Sequence, residues 1–228
     1  MGVSIADEVA GLYLVQGILA ALLERQRSGR GQLVEVALHD AMLSMFTFQA
    51  QAYLSAGKVP RRMGNRHPSI VPYETFEAAD GMVVIGVANE RLWSRFCAAL
   101  EAIELADDPR FACNADRVRH RRELVEALTP RFRQRTVADW ERTMGDAGVP
   151  CGRVRALDQV LDAERHADRE MVVAVDGAEA LGVPVKLSMT PAQVRRRAPR
   201  LGEHTAAVLR ELGHTDEEIE AWRGAGVV

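Results

Sequence analysis

Gly2-Val3-Ser4-Ile5-Ala6-Asp7 runs straight into Glu8-Val9-Ala10-Gly11, and a second decisive stretch follows at Arg27-Ser28-Gly29-Arg30-Gly31-Gln32-Leu33-Val34-Glu35-Val36 before His39-Asp40-Ala41. Together they read as helix, strand, helix. Between residues 8 and 27, Val9, Leu12, Tyr13, Val15, Ile18, Leu19, Leu22 and Leu23 cover more than one helical face, which predicts a well-buried helix. Asp7 stands where an N-cap would stand. Ser28 to Gly31 offers the glycine chemistry of a helix C-terminus. Residues 32–38 alternate apolar and polar, as a strand does. Residues 40–54, rich in Met, Phe and Ala, predict a second buried helix. The first 55 residues therefore read as a piece of a larger α/β unit.

Working outward, residues 55–72 break the pattern. Gly57, Pro60, Gly64, Pro68 and Pro72, with basic residues and His67 between them, mark a linker or functional loop over 56–72. Residues 73–76 and 82–87 read as strands joined at Ala79-Asp80-Gly81. Helices are predicted over 90–100, 116–133 and 136–147, the last opening at Thr136 with Asp139 three residues on. Gly148 to Gly152 ends this smaller α+β unit at 73–150. A return segment over 151–190 carries a short helix at 157–162 and short strands at 172–175 and 183–187. Residues 191–199 are irregular, and helices over 204–212 and 216–225 finish the chain.

Composition narrows the function classes. The 228 residues suffice for one large domain or two small ones. With 29 basic and 32 acidic side chains the net charge is −3, so nothing calls for nucleic acid as a partner. The Arg clusters at 117–122 and 195–197 read as solvated faces. Three widely spaced cysteines without a CxxC pair argue against a disulfide framework or zinc site and favour a reduced, cytoplasmic setting. No run reads as a membrane span or signal peptide. No phosphate-binding glycine motif or metal-ligand cluster is present, and no thiol has a partner at a revealing spacing.

Several pieces, in order, resemble the class III CoA-transferase family (CaiB/BaiF type), which includes formyl-CoA transferase, carnitine CoA-transferase and α-methylacyl-CoA racemase. They are Ala20 to Arg25 with Ser28 to Gln32; His39 to Leu43; Met63-Gly64-Asn65-Arg66-His67-Pro68; Val71-Pro72-Tyr73; Ala147 to Gly152; Pro184 to Ser188; and Ala198 to Thr205. The resemblance implies an α/β fold: a partial large, Rossmann-like domain, a smaller α+β domain, and C-terminal helices over 191–228 returning to the large domain. It implies that Asp7 is the catalytic carboxylate, although residue chemistry alone allows a plain N-cap. It places most of the family's CoA-binding part upstream of Asp7, where this sequence holds six residues.

The implied activity is transfer of CoA between an acyl-CoA and a carboxylic acid acceptor, with CoA as substrate and no permanently bound cofactor or metal. Residues 63–72 match the connection near the mobile glycine-rich loop of formyl-CoA transferase. Only Gly64 survives of those glycines, so Asn65, Arg66 and His67, with Gly64, become the candidate substrate-binding residues. Arg66 could pair with the acceptor carboxylate or remain a solvated linker cation. His67 could act as a base or simply hydrogen-bond within the loop. No CoA-contacting residue is assignable. The family's interlocked dimers imply a homodimer or a partner chain supplying the CoA-binding half. A racemase half is an alternative, disfavoured because Asp7 is not followed by a run of glycines and because the racemase Glu aligns at or beside Asn89-Glu90. A non-catalytic fragment is the other alternative.

Overall fold

A computed structural model describes residues 2–162 and 167–228. Met1, readable as an internal Met of a longer protein, and residues 163–166 of the expected return segment lie outside the described residues.

The chain is a mixed helix-and-sheet protein, and its buried core lies in one stretch. Strands β1 (Tyr73–Glu77) and β2 (Met82–Gly86) form an antiparallel hairpin, with Phe76 opposite Val83. Helices α4 (Glu90–Ala99), α5 (Ile103–Ala106), α6 (Asn114–Arg119), α7 (Arg121–Phe132) and α8 (Val137–Asp146) follow, then strand β3 (Cys151–Arg153). β3 adds antiparallel to β2, pairing Arg153 with Val83 and Cys151 with Ile85. Three of these helices bury one apolar stripe each: Trp93, Phe96 and Cys97 of α4; Leu124, Leu128 and Phe132 of α7; Val137, Trp140 and Met144 of α8. Spacings of three and four put each set on one helical face. The stripes meet Phe76, Val83 and Ile85 of the sheet in a single cluster running from Val71 to Val149. Phe132 is its hub, with ring centroids 4.5 Å from Phe76, 6.3 Å from Phe96 and 5.0 Å from Trp140.

The structure corrects several expectations here. The helix predicted over 116–133 is two, with His120 between α6 and α7. β3 was not expected, because three residues containing Pro150's neighbour Cys151 and Gly152 look like a turn. Thr136 does cap α8, its hydroxyl accepting from the Asp139 N–H.

The N-terminal region is built differently. α1 spans Ile5–Ser28, and Gly29 closes it in the left-handed conformation at φ 72°, its N–H donating to the Arg25 carbonyl. Expected to be well buried, α1 buries only Val9, and Leu12 and Leu23 are 64% and 68% exposed. By length and composition α1 is apolar enough to cross a membrane, contrary to the sequence expectation, although the core helix of a soluble protein passes the same test. The strand expected over 32–38 is not formed. A ladder needs a neighbour, and among the described residues none pairs with it. This segment runs close to α1: a Cβ on Gly17 would come within 2.7 Å of the Val34 side chain. The helix expected over 40–54 is two, α2 (Leu38–Ser44) and α3 (Thr47–Ala56), broken where Thr47 takes φ 43°, a rare setting for a β-branched residue. Both are largely exposed.

After the short helix α9 (Leu157–Val160), β4 (Val172–Val175) pairs with β5 (Ala178–Leu181), not with the strand expected at 183–187. Asp176 and Gly177 between them both have positive φ, 49° and 72°, the turn that two-residue hairpins favour. Helices α10 (Thr205–Glu211) and α11 (Asp216–Gly224) finish the fold.

Candidate functional site

Asp7 is not the N-cap of α1. Ser4 holds that position, and its carbonyl accepts from the Asp7 and Glu8 N–H groups at 3.0 and 3.1 Å. Asp7 sits in the first turn with Glu8, where the positive end of the helix dipole favours a negative charge. Its carboxylate is exposed, and among the described residues no side-chain hydrogen bond or ion pair engages it.

The loop from Met63 to Pro72 is ordered from the α+β unit. Gly64 turns the chain at φ 63°, which a side chain would strain. The Asn65 amide donates to the Thr75 hydroxyl of β1. The Arg66 guanidinium lies 3.9 Å from Glu74, a β1 carboxylate with a side chain only 6% exposed. The His67 N–H donates to the Tyr73 carbonyl at 2.9 Å, and its ring stacks on Tyr73 at 5.3 Å and Phe48 at 6.0 Å. Its Nδ1 accepts from the Ser69 N–H at 3.2 Å. His67 is thus occupied by loop contacts.

Between α3 and this loop lies a cavity of about 840 Å³. Lys58, Arg61 and Arg66 line it together with Gly64 and apolar groups including Phe48 and Met63, and no carboxylate does. The structure thus brings Gly64 and Arg66 to one cavity wall, with Asn65 and His67 pinning the same loop. No hydrogen bond or ion pair among the described residues joins Asp7 to them.

The sequence reading missed how the loop is held. The Arg cluster at 117–122 is not simply a solvated face. Arg117 is fully buried, donating to the carbonyls of Val71 (2.9 Å) and Phe111 (3.0 Å) and to Glu90 (2.7 Å), with its guanidinium 4.8 Å from the Trp93 ring. Arg121 donates to Glu74 at 3.1 Å and to the His67 carbonyl at 2.5 Å. Asn114 donates to the Ser69 carbonyl at 2.8 Å and accepts from the Val71 N–H at 3.1 Å. Asn114 and Arg117 share one face of α6, three residues apart, while Arg121 opens α7 beyond the break at His120, so no single helical spacing in the sequence gathers the three. Of the second cluster, Arg197 is paired with Glu203 at 2.6 Å.

Asn89 and Glu90 are also accounted for. Asn89 caps α4, accepting from the Leu92 N–H at 2.9 Å. Glu90 receives the Asn114 N–H and Arg117. Desolvation acts to raise its pKa, but those two donors outweigh it and hold the group below its ordinary value. Burial pushes the Cys97 thiol up to about 12 and, helped by Glu141, the Cys151 thiol to about 11, so neither is a ready nucleophile. Among the described residues no group of three His, Cys, Asp or Glu side chains could hold a metal ion.

An exposed carboxylate in the first turn of α1, a cation-lined cavity and a small α+β unit occur together in one mixed helix-and-sheet protein. The family model for CoA-transferase family III matches residues 1–205, and the chain belongs to that family. It is 36% identical over 216 residues to a succinate–glutarate CoA-transferase of Agrobacterium fabrum, covering 92% of this chain and 54% of that protein. It is 30% identical over 233 residues to the succinyl-CoA:glutarate CoA-transferase of Homo sapiens, covering 100% of this chain and 53% of that one. A CAIB/BAIF family protein from Brucella suis of known crystal structure superposes with a TM-score of 0.78 at 37% identity, covering 93% of this chain and 56% of that one. The chain spans about half the length of the curated relatives it matches.

Proposed function

We propose that this chain carries the nucleophile and the acceptor-acid loop of a CoA-transferase that moves CoA from an acyl-CoA to a dicarboxylic acid. The observation that carries the reading is the cavity walled by Lys58, Arg61 and Arg66 without a carboxylate. Relatives named for succinate and glutarate support it. Three cationic side chains beside apolar ones suit a short diacid, one carboxylate held by a guanidinium and the other left to react.

Asp7 attacks the thioester carbonyl of the donor, and CoA thiolate leaves as a mixed anhydride forms. The thiolate then attacks the aspartyl carbonyl, the donor acid leaves, and an aspartyl-CoA thioester remains. The acceptor carboxylate attacks that thioester and expels the thiolate, giving a second anhydride. Attack of the thiolate on the acceptor's acyl carbon releases the new acyl-CoA and restores Asp7. Each intermediate stays activated, so one hard exchange becomes several easier ones. The positive end of the α1 dipole near Asp7 favours the developing oxyanions.

In this reading residues 1–55 and 191–228 belong to the large domain, 56–72 form the active-site loop, 73–150 the small domain and 151–190 the return. The open apolar faces of α1 and α3 receive the CoA-binding portion, contributed by a second copy or a partner chain. The setting is cytoplasmic, where the three thiols stay reduced. The racemase alternative needs a carboxylate ready to accept a proton. Asn89 is a cap, and Glu90 is held below its ordinary pKa, against desolvation, by the Asn114 N–H and Arg117, which favours transfer over proton exchange.

The test is intact-protein mass after mixing with succinyl-CoA and quenching with hydroxylamine. A hydroxamate at Asp7, lost in Asp7→Ala, is the expected result. A folded chain that gives no adduct, alone or with the remaining half of a full-length relative, contradicts the proposal and favours a non-catalytic fragment. Solvent deuterium entering the α-carbon of a 2-methylacyl-CoA would instead favour a racemase.

A further inference from the structure

Resting on the reading of Arg66 as the acceptor's anchor, we propose that Arg121 is a positioning residue that keeps Arg66 available to an anion in the cavity. Glu74 is the only carboxylate with which Arg66 forms an ion pair among the described residues. It is buried, so it must hold a cation or carry an uncompensated charge. Arg121 meets that need at 3.1 Å with a side chain only 13% exposed, whereas Arg66 stands off at 3.9 Å and is 56% exposed. The close partner therefore satisfies Glu74, and the distant one stays free to turn toward the cavity that it lines.

The second arm of Arg121 adds one of several ties on the loop that carries Arg66, the others remaining when Arg121 is replaced. Its Nη2 donates to the His67 carbonyl, one residue along the loop, at 2.5 Å. Asn114 and Arg117 hold Ser69 and Val71 in the same way. Alternate residues 67, 69 and 71 are thus tied by side chains at 121, 114 and 117, as a neighbouring strand would tie them. Without Arg121, buried Glu74 draws Arg66 inward, and the cavity keeps Lys58 and Arg61 but loses the Arg66 guanidinium.

This mechanism makes an unusual demand: removing Glu74 as well should restore the site. Glutarate binding to the whole chain is measured by titration calorimetry, with thermal melting of each variant alongside. Arg66→Gln and Arg121→Gln are each expected to weaken glutarate about tenfold, the scale of one hydrogen bond to a charged group. The double variant Glu74→Gln/Arg121→Gln is expected to recover to within about threefold of the original, because both members of the buried pair are gone together.

If Arg66→Gln weakens binding and Arg121→Gln does not, the positioning role is overturned while the acceptor site stands. If the unaltered chain does not bind glutarate, or Arg66→Gln changes nothing, the acceptor reading fails and takes this inference with it. A double variant that melts normally yet does not recover shows that Arg121 serves only the fold, and overturns the proposal. Should Arg121→Gln fail to fold, the double variant and Arg121→Lys decide the matter: both are expected to bind glutarate within about threefold of the original, and loss of binding in either, if folded, overturns it.

Discussion

Residues 71–153 and residues 2–57 are both rich in apolar side chains, yet the first stretch buries most of its large ones and the second exposes most of its own. Every member of the main core cluster lies between Val71 and Val149. In the N-terminal stretch Val9 and Ala41 are buried while Leu12, Leu23 and Leu54 stand 64, 68 and 76% exposed. The difference lies in where each helix finds its partner. α4, α7 and α8 carry one apolar stripe each, and strands close in sequence receive those stripes. α1 carries apolar residues around its circumference, and the described residues cover only a small part of it. An apolar helix records that burial is needed; it does not say which part of the protein supplies it.

The sharpest way to break this comparison is to separate the regions. A fragment of residues 70–154 should unfold cooperatively in urea, followed by circular dichroism. A fragment of residues 2–57 should show no cooperative transition, because most of its apolar surface has no partner. A cooperative melt of the second fragment would abolish the distinction.

Within the intact chain, Phe132→Ala should cost about 4 kcal/mol by denaturant titration, since it empties the contact point of three other rings. Arg117→Met should cost about 3 kcal/mol, less than a lost core ring, because it leaves the Val71 and Phe111 carbonyls without their donor but replaces the guanidinium with apolar volume. Leu23→Ser in α1 should change stability by less than about 0.5 kcal/mol, as expected of an exposed site. A loss at Leu23 comparable to that at Phe132 would contradict the exposure of α1.

The smallest effect concerns acid. Arg153 holds Glu141 below its ordinary value of 4.5 through a side-chain hydrogen bond, with desolvation opposing. A lowered folded-state pKa gives stability that is complete above the unfolded value and fades as pH falls through the folded one. Glu141→Gln should therefore reduce the loss of stability below pH 4.5, compared with the unaltered chain, in melts taken across that range.

How much was legible follows the same division. In the α+β unit the alternation at 73–76, the Asp80-Gly81 turn and the Thr136 cap all led to the observed elements, since local pattern and tertiary contact agree there. The family resemblance, carried by Met63 to Pro68 and Ala147 to Gly152, is met by the family match. Residues 32–38 have a strand's alternation but no ladder, because a strand's existence depends on a neighbour that no local pattern contains. The hairpin at β4 and β5 was open to discovery in Asp176-Gly177, a two-residue turn signal that the apolar run at 183–187 obscured.

At the site, the sequence pointed to Asp7 and to Gly64, Asn65, Arg66 and His67; of these, Gly64 and Arg66 line the cavity beside α3, and no hydrogen bond or ion pair among the described residues joins Asp7 to them. The sequence could not show that Arg117 and Arg121 turn inward. Charge pattern alone makes an Arg run look solvated, and only the backbone carbonyls of a distant loop reveal otherwise.

The most direct test of the central contrast is hydrogen exchange of the intact chain, read peptide by peptide by mass spectrometry. The account predicts that amides of β2 and α7 exchange only through one shared, global opening, while those between Leu12 and Leu23 exchange at least ~100-fold faster. Protection of α1 equal to that of α7 would mean that the N-terminal helix has found its partner within this chain, and the contrast would fall.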